Sequence, residues 1–256
     1  MLVNVVQSDI KLGDKKINLS KAIDSIKKSK ADLFLFPEVF TTGMDLEHVK
    51  ELSEHLSGES INILKKHSGK KIIAGSLIEE YKGETYNTLF LLEDEKLKGF
   101  YRKIHLFRKE KEYFTAGHGV EVVETNQGRI GLSICYDLRF PELYRRQAEK
   151  GAILFLVCAN FPKERIEHWR TLLKARAIEN QAYVIGCNRT GRDEMNEYNG
   201  NSMIMDPSGK VLAEAGGGEQ SLEAEIDLKE VERVRGEFPV LGDRKLYKTS
   251  VDNSIL

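Results

Sequence analysis

Apolar residues fall along the chain in short runs. Leu2 to Val6 is one, and Leu33 to Phe36 is an unbroken one closed by Pro37. A run without polar alternation, bounded by proline, is the pattern of a strand buried on both faces. Between them, Lys15 to Lys30 sets Leu19, Ala22, Ile23 and Ile26 on one face of a helix, with lysines elsewhere. Helical segments follow around His48 to His67. Lys71 to Glu79 and Tyr86 to Leu92 then flank a Tyr81-Lys82-Gly83-Glu84 turn as a hairpin, and a third strand, Leu97 to Arg102, runs into a charged segment from Lys103 to Glu112.

The second half continues the alternation. Val120 to Val123 and Arg129 to Cys135 read as strands about an Asn126-Gln127-Gly128 turn. Pro141 opens a helix that ends near Gly151, because proline suits a first turn and glycine the position just past a last one. Ala152 to Ala159 is a fully apolar strand, followed by a long helix from about Glu164 to Gln181. Further strands are predicted at Ala182 to Cys187, Ser202 to Met205, Val211 to Glu214 and Leu222 to Ile226, with Asp206-Pro207-Ser208-Gly209 as a tight turn. No break in composition marks a linker. Helices alternating with buried strands and hairpins predict a layered α/β fold with mixed sheets, one domain over residues 1–256.

Composition narrows the function classes. The 256 residues hold 39 Lys and Arg against 40 Asp and Glu, a net charge of −1, which offers no electrostatic footprint for nucleic acid. The longest apolar run, Ala152 to Ala159, is far short of the roughly 20 residues that cross a bilayer, so no membrane partner is expected. The opening MLVNVVQSD lacks the basic leader of a signal peptide, and the expected compartment is the cytoplasm. Three cysteines without a CxxC spacing make neither a disulfide framework nor a zinc site, and at least one is free for chemistry.

Three reactive groups stand where a predicted buried strand ends: Glu38 after LFLFP, Lys103 after GFYR, and Cys135 at the end of IGLSI. Such strand ends are where α/β folds assemble their sites. Taken singly, each has an ordinary reading: a cap or salt-bridge partner, a solvated charge, a core-filling thiol. Taken together, Phe36-Pro37-Glu38, Tyr101-Arg102-Lys103-Ile104-His105-Leu106-Phe107 and Cys135-Tyr136-Asp137-Leu138-Arg139-Phe140-Pro141-Glu142 resemble, in order and spacing, the three signature blocks of the nitrilase superfamily of carbon–nitrogen hydrolases. The likeness extends to His168-Trp169, to Ala175 through Asn180, and to the blocks at Asn188-Arg189 and Asn199-Gly200-Asn201-Ser202, covering Val3 to about Phe238. The omega-amidase branch is the most similar, through Phe40-Thr41-Thr42-Gly43 and CYDLRFPE. The resemblance implies a four-layer αββα sandwich, pairing into a homodimer, acting on a small-molecule amide and using no cofactor.

Carried over residue by residue, the resemblance makes Cys135 the nucleophile, Glu38 the general base and Lys103 the third catalytic member. Glu110, seven residues beyond Lys103, would position the lysine or the substrate. The chemistry needs these types. A thiol near its ordinary pKa of about 8.5 needs a base to become the attacking thiolate. The leaving nitrogen must depart protonated, and a lysine ammonium with the Tyr136 backbone N–H would hold the oxyanion. The omega-amidase likeness further implies cleavage of the terminal amide of 2-oxoglutaramate or 2-oxosuccinamate, whose far carboxylate calls for a cation or N–H donors. Arg189 and the backbone from Thr41 to Gly43, Thr42 included, are the residues expected there. An N-carbamoyl amine or another aliphatic amide would suit the same triad. Readings from other classes are a non-catalytic binding or scaffold protein and a redox-sensing thiol. His105 and His168 are alternatives for a papain-like dyad, although no block of such a protease surrounds Cys135. Arg139, Glu142, Arg176 and Glu179 are expected to pair and fix the turn that aims Cys135, while Cys158 and Cys187 read as small core residues.

Overall fold

The computed structural model of the chain describes residues 1–193 and 196–245, so the end of the expected 1–256 domain lies outside the described residues. The first half runs β1 (Leu2–Gln7), α1 (Lys15–Lys28), β2 (Leu33–Leu35), α2 (Val49–Leu52), α3 (Glu59–Ser68), β3 (Ile72–Tyr81), β4 (Glu84–Glu93), β5 (Lys96–Arg102) and the single-turn α4 (Glu110–Tyr113). The second half runs β6 (Val122–Thr125), β7 (Gly128–Ile134), α5 (Pro141–Glu149), β8 (Leu154–Ala159), α6 (Ile166–Asn180), β9 (Tyr183–Asn188), β10 (Thr190–Arg192), β11 (Glu197–Asn199), β12 (Met203–Met205), β13 (Val211–Glu214), β14 (Gln220–Glu225) and α7 (Lys229–Glu237). One six-stranded sheet has the order β14-β1-β2-β3-β4-β5 and the other β13-β12-β9-β8-β7-β6, with β10 and β11 as a separate ribbon. The centre of each sheet is parallel, β1-β2-β3 and β7-β8-β9, and the flanking pairs are antiparallel.

Side chains alternate across a strand, so neighbouring residues serve different layers. Val3, Val5, Leu33, Leu35, Ile72, Ala74, Leu89 and Leu91 join the core that also takes Ile130, Leu132, Ile134 and Leu156 of the second sheet. Their neighbours Val6, Phe34, Ile73, Phe90 and Leu92 turn the other way, onto Leu19, Ala22 and Ile26 of α1 and Ile61 and Leu64 of α3. On the far side of the second sheet, Leu143 and Tyr144 of α5 and Trp169, Leu173 and Ala177 of α6 complete the fourth layer. The result is the αββα sandwich implied by the resemblance. Strands buried on both faces explain why β2 and β8 read as unbroken apolar runs.

Close packing of α6 sets local choices. A Cβ at Gly186 of β9 would come within 2.8 Å of the Trp169 ring and 2.7 Å of Leu173, so glycine lets the helix close on the sheet. Trp169 is fully buried, its Nε1 donating to the Asn201 carbonyl (2.8 Å). Cys158 and Cys187 are buried core residues, as expected. The β10–β11 ribbon and α7 were not anticipated, being short and largely polar, and Cys135 stands just past its strand instead of ending it.

Candidate active site

Four strand ends converge on one place. Glu38 lies three residues past β2, Lys103 directly follows β5, Cys135 directly follows β7 and Asn160 directly follows β8. Lys103, fully buried, donates from Nζ to Glu38 Oε1 (2.7 Å) and to Glu110 Oε1 (2.9 Å). Glu38 is equally buried and accepts from Asn87 Nδ2 (2.8 Å) on Oε1 and from the Asn160 backbone N–H (2.9 Å) on Oε2. Glu110 is fixed in turn by the Phe107 N–H, which donates to its Oε2 (2.9 Å) across the short turn leading into α4. Three of the four residues expected to be catalytic therefore form one continuous chain of charge-assisted hydrogen bonds, and the fourth, Cys135, shares a cavity with Glu38 and Glu110. A lysine with two carboxylates survives burial because each charge is paired and hydrogen-bonded.

The backbone around the reactive groups is strained and heavily braced. Cys135 has φ of +47°, in the left-handed region that side chains other than glycine rarely occupy, and it starts a 3₁₀ turn from Cys135 to Arg139. Buried Asp137 holds that turn, accepting from the Ile134 N–H (3.0 Å), Tyr101 Oη (2.9 Å) and the His105 N–H (3.1 Å), with His105 Nδ1 at 2.7 Å. Arg176 donates twice to the Leu138 carbonyl (2.7 and 3.2 Å) and pairs with Glu179 (3.0 Å), so this half of the expected bracing is present. Arg139 instead faces His168 Nδ1, 3.3 Å from both of its terminal nitrogens, and Glu142 is exposed. Both histidines of the alternative dyad are thus engaged elsewhere. Next to Glu38, β-branched Val39 has φ of +43° and is held by its N–H donating to Ser76 Oγ (2.7 Å). Such outliers cost on the order of 1–3 kcal/mol each and persist where surrounding structure over-determines them.

Electrostatics sets the resting protonation. Desolvation pushes the Cys135 thiol well above its ordinary value, Glu38 adds to that rise, and Lys103 only partly offsets it. Burial disfavours the Lys103 ammonium, but Glu110 and Glu38 outweigh that and hold its pKa well above the usual lysine value. Burial likewise raises the Glu110 carboxyl against the pull of Lys103. The resting site accordingly holds a neutral thiol beside a charged lysine, unlike a cysteine–histidine ion pair. Because an elevated pKa keeps the proton on sulfur until the solution is strongly alkaline, the absorbance difference at 240 nm between the wild type and Cys135→Ala should stay flat from pH 6 to 8.5. A thiolate step within that range would contradict this assignment.

A cavity of about 440 Å³ opens onto these groups, lined by Glu38, Glu110, Cys135, Tyr136 and Asn160 and further out by Met44 to His48, Phe107, Arg108, Lys109, Arg139, Phe161, Arg165, Asp193 and Tyr198. Tyr136, half-buried, packs between Phe107 (4.9 Å between ring centroids) and Phe140 (5.3 Å). The structure does not bring Thr42 or Arg189 into the cavity. Thr42 is buried and donates its hydroxyl to the Gly43 carbonyl (3.0 Å), and the segment just after it, Met44 to His48, forms the wall. Arg189 is buried behind Tyr198, its guanidinium 4.7 Å from that ring, with Nε donating to the Thr190 carbonyl (3.1 Å) and one terminal nitrogen to Asp9 (3.2 Å) and the Ile10 carbonyl (3.3 Å). These partners hold it outside the cavity lining, behind the Tyr198 ring. Sequence reasoning missed Asn87 and Asn160, the two asparagines holding Glu38. The signal was there for Asn160, a polar residue ending the apolar run Ala152 to Ala159, as Cys135 does for its own.

The profile of the family described as "Carbon-nitrogen hydrolase" matches residues 2–236. A 2-oxoglutaramate amidase of Bacillus subtilis is 40% identical over 249 residues, covering 94% of this chain and 96% of its own. An omega-amidase of Yersinia enterocolitica is 38% identical over 218 residues, covering 83% and 84%. The crystal structure of Saccharomyces cerevisiae Nit3, described as a member of branch 10 of the nitrilase superfamily, superposes with a TM-score of 0.88 at 29% identity, covering 97% of each chain. With the fold, the strand-end residues and a family match over nearly the whole length in agreement, the chain belongs to the carbon–nitrogen hydrolase family and is an amide-cleaving hydrolase of the nitrilase superfamily.

Proposed function

We propose that the chain is an omega-amidase that hydrolyses the terminal amide of 2-oxoglutaramate or 2-oxosuccinamate through a thioester on Cys135. The observation that carries this reading is the buried Lys103 bridge between Glu38 and Glu110, two carboxylates that line the same cavity as the strained Cys135. The substrate class is supported by the relatives and by the arginines and lysine along the cavity wall.

In this mechanism Glu38 takes the thiol proton as sulfur attacks the amide carbon, and the carbonyl electron pair moves to oxygen. Lys103 uses two of its three ammonium hydrogens on Glu38 and Glu110, which leaves the third, with the Tyr136 N–H, for that oxyanion. Collapse breaks the carbon–nitrogen bond while Glu38 returns the proton, so nitrogen leaves as ammonia. Water then gives a proton to Glu38 and attacks the thioester. The second oxyanion collapses, the carbon–sulfur bond breaks, the proton returns to sulfur and the carboxylate product departs. Glu110 keeps the lysine in place, and none of these steps calls for a metal or cofactor.

Ammonia release from a panel of compounds tests the reading. The purified enzyme is expected to favour 2-oxoglutaramate over neutral aliphatic amides, N-carbamoyl amines and nitriles by at least a hundredfold in kcat/KM, since a site built for a polar group rejects analogues lacking it. Equal turnover of an N-carbamoyl amine or a plain amide would move the assignment to that substrate class. We also read the enzyme as one catalytic domain, cytoplasmic and homodimeric. The three unpaired cysteines suit a reducing compartment, and light scattering on the purified protein checks the dimer.

A further inference from the structure

The cavity carries four cationic side chains, and they differ in what already occupies them. Arg108 and Lys109 are exposed at the surface, where solvent screens them. Arg139 is held by His168 and lies 5.4 Å from the Phe161 ring. Arg165 is half-buried, 5.7 Å from the Phe107 ring, and no carboxylate among the described residues pairs with it. Of the acidic groups that line the cavity, Glu38 and Glu110 are committed to Lys103, Asp45 to His48 at 3.0 Å and Asp193 to the Tyr198 hydroxyl at 2.7 Å, while Glu47 is exposed to solvent. A planar guanidinium beside an aromatic ring, with no carboxylate on its donors, suits a bidentate carboxylate.

A second observation points into the same space. Asn160 is only 8% exposed, yet neither its Oδ1 nor its Nδ2 has a hydrogen-bond partner, although its backbone N–H holds Glu38. Buried amides are almost always satisfied, so an unpaired one lining a cavity marks a place where a polar ligand completes the set.

Resting on the amidase reading above, we propose that Arg165 is the specificity-determining residue that grips the substrate's distal carboxylate, while the Asn160 amide orients the chain near the reacting end. The enzyme thereby selects monoamides of short dicarboxylic acids over neutral amides of equal length. Two parallel charge-assisted hydrogen bonds desolvated in a cavity account for a selectivity of ten- to a hundredfold, and a cation without the fork keeps only part of it.

Steady-state kinetics of the wild type, Arg165→Gln and Arg165→Lys on 2-oxoglutaramate and on pentanamide test this, with thermal melting to confirm folding. The wild type is expected to prefer the anionic amide. In Arg165→Gln the ratio of the two kcat/KM values should fall roughly ten- to a hundredfold, through KM more than kcat, and Arg165→Lys should lie between. Inhibition by 2-oxoglutarate should weaken in the same order. A wild type that prefers 2-oxoglutaramate, with a Gln variant whose ratio stays within twofold, overturns the role of Arg165 and leaves the amidase reading standing. A wild type without preference for the anion overturns both.

Discussion

Replacing Cys135 with alanine should reduce ammonia release to background, a fall of roughly five to six powers of ten, because loss of the nucleophile leaves only binding and oxyanion stabilisation. The variant should still fold. The turn carrying residue 135 is held by Asp137 and by Arg176 on the Leu138 carbonyl, and none of those bonds involves the sulfur. Replacing Cys158 or Cys187, both buried in the core, should leave turnover standing while lowering stability by a few kcal/mol at most. Ammonia assays with melting curves separate the three. Activity retained in Cys135→Ala, or lost in a folded Cys187→Ala, would contradict the assignment of the nucleophile.

The second large effect belongs to Glu38. Its two oxygens are fixed by three donors, Asn87, Lys103 and the Asn160 N–H, so Glu38→Gln keeps the size of the side chain but removes its proton acceptor and turns an amide NH2 toward a donor. Because the same carboxylate is proposed to serve both acylation and deacylation, turnover should fall by roughly three to four powers of ten. Residues acting as one unit are far from additive, so the Glu38→Gln, Cys135→Ala double variant should be no slower than Cys135→Ala alone. Turnover by a folded Glu38→Gln within tenfold of the wild type would contradict its role as the base.

Much of this is legible in the sequence, for identifiable physical reasons. Strands with both faces covered read as unbroken apolar runs, which located β2 and β8 and made Glu38 stand out as the charge at the end of a buried strand. Cys135 and Lys103 gained their weight from the blocks around them. What could not be read was which surface-like charges fold inward. Lys163-Glu164-Arg165 has the composition of a solvated turn, and Arg165 lines the cavity only because the approach to α6 closes against Phe107, far away in sequence. Arg189, beside a signature block, was the more conspicuous cation, yet Asp9, 180 residues away, claims it. The strain at Cys135 was likewise invisible, because a strand pattern carries no mark for the one residue where φ reverses.

The central claim is a thioester between Cys135 and the acyl part of an amide whose nitrogen has already left. The most direct measurement is acid-quenched intact mass spectrometry and peptide mapping of the Glu38→Gln variant after incubation with 2-oxoglutaramate, with released ammonia counted in parallel. The account predicts an adduct equal to the substrate less ammonia, confined to the Cys135 peptide, absent from Cys135→Ala and formed with one equivalent of ammonia. Ammonia release at the wild-type rate by Cys135→Ala, or an adduct mapped to Cys158 or Cys187, would contradict it.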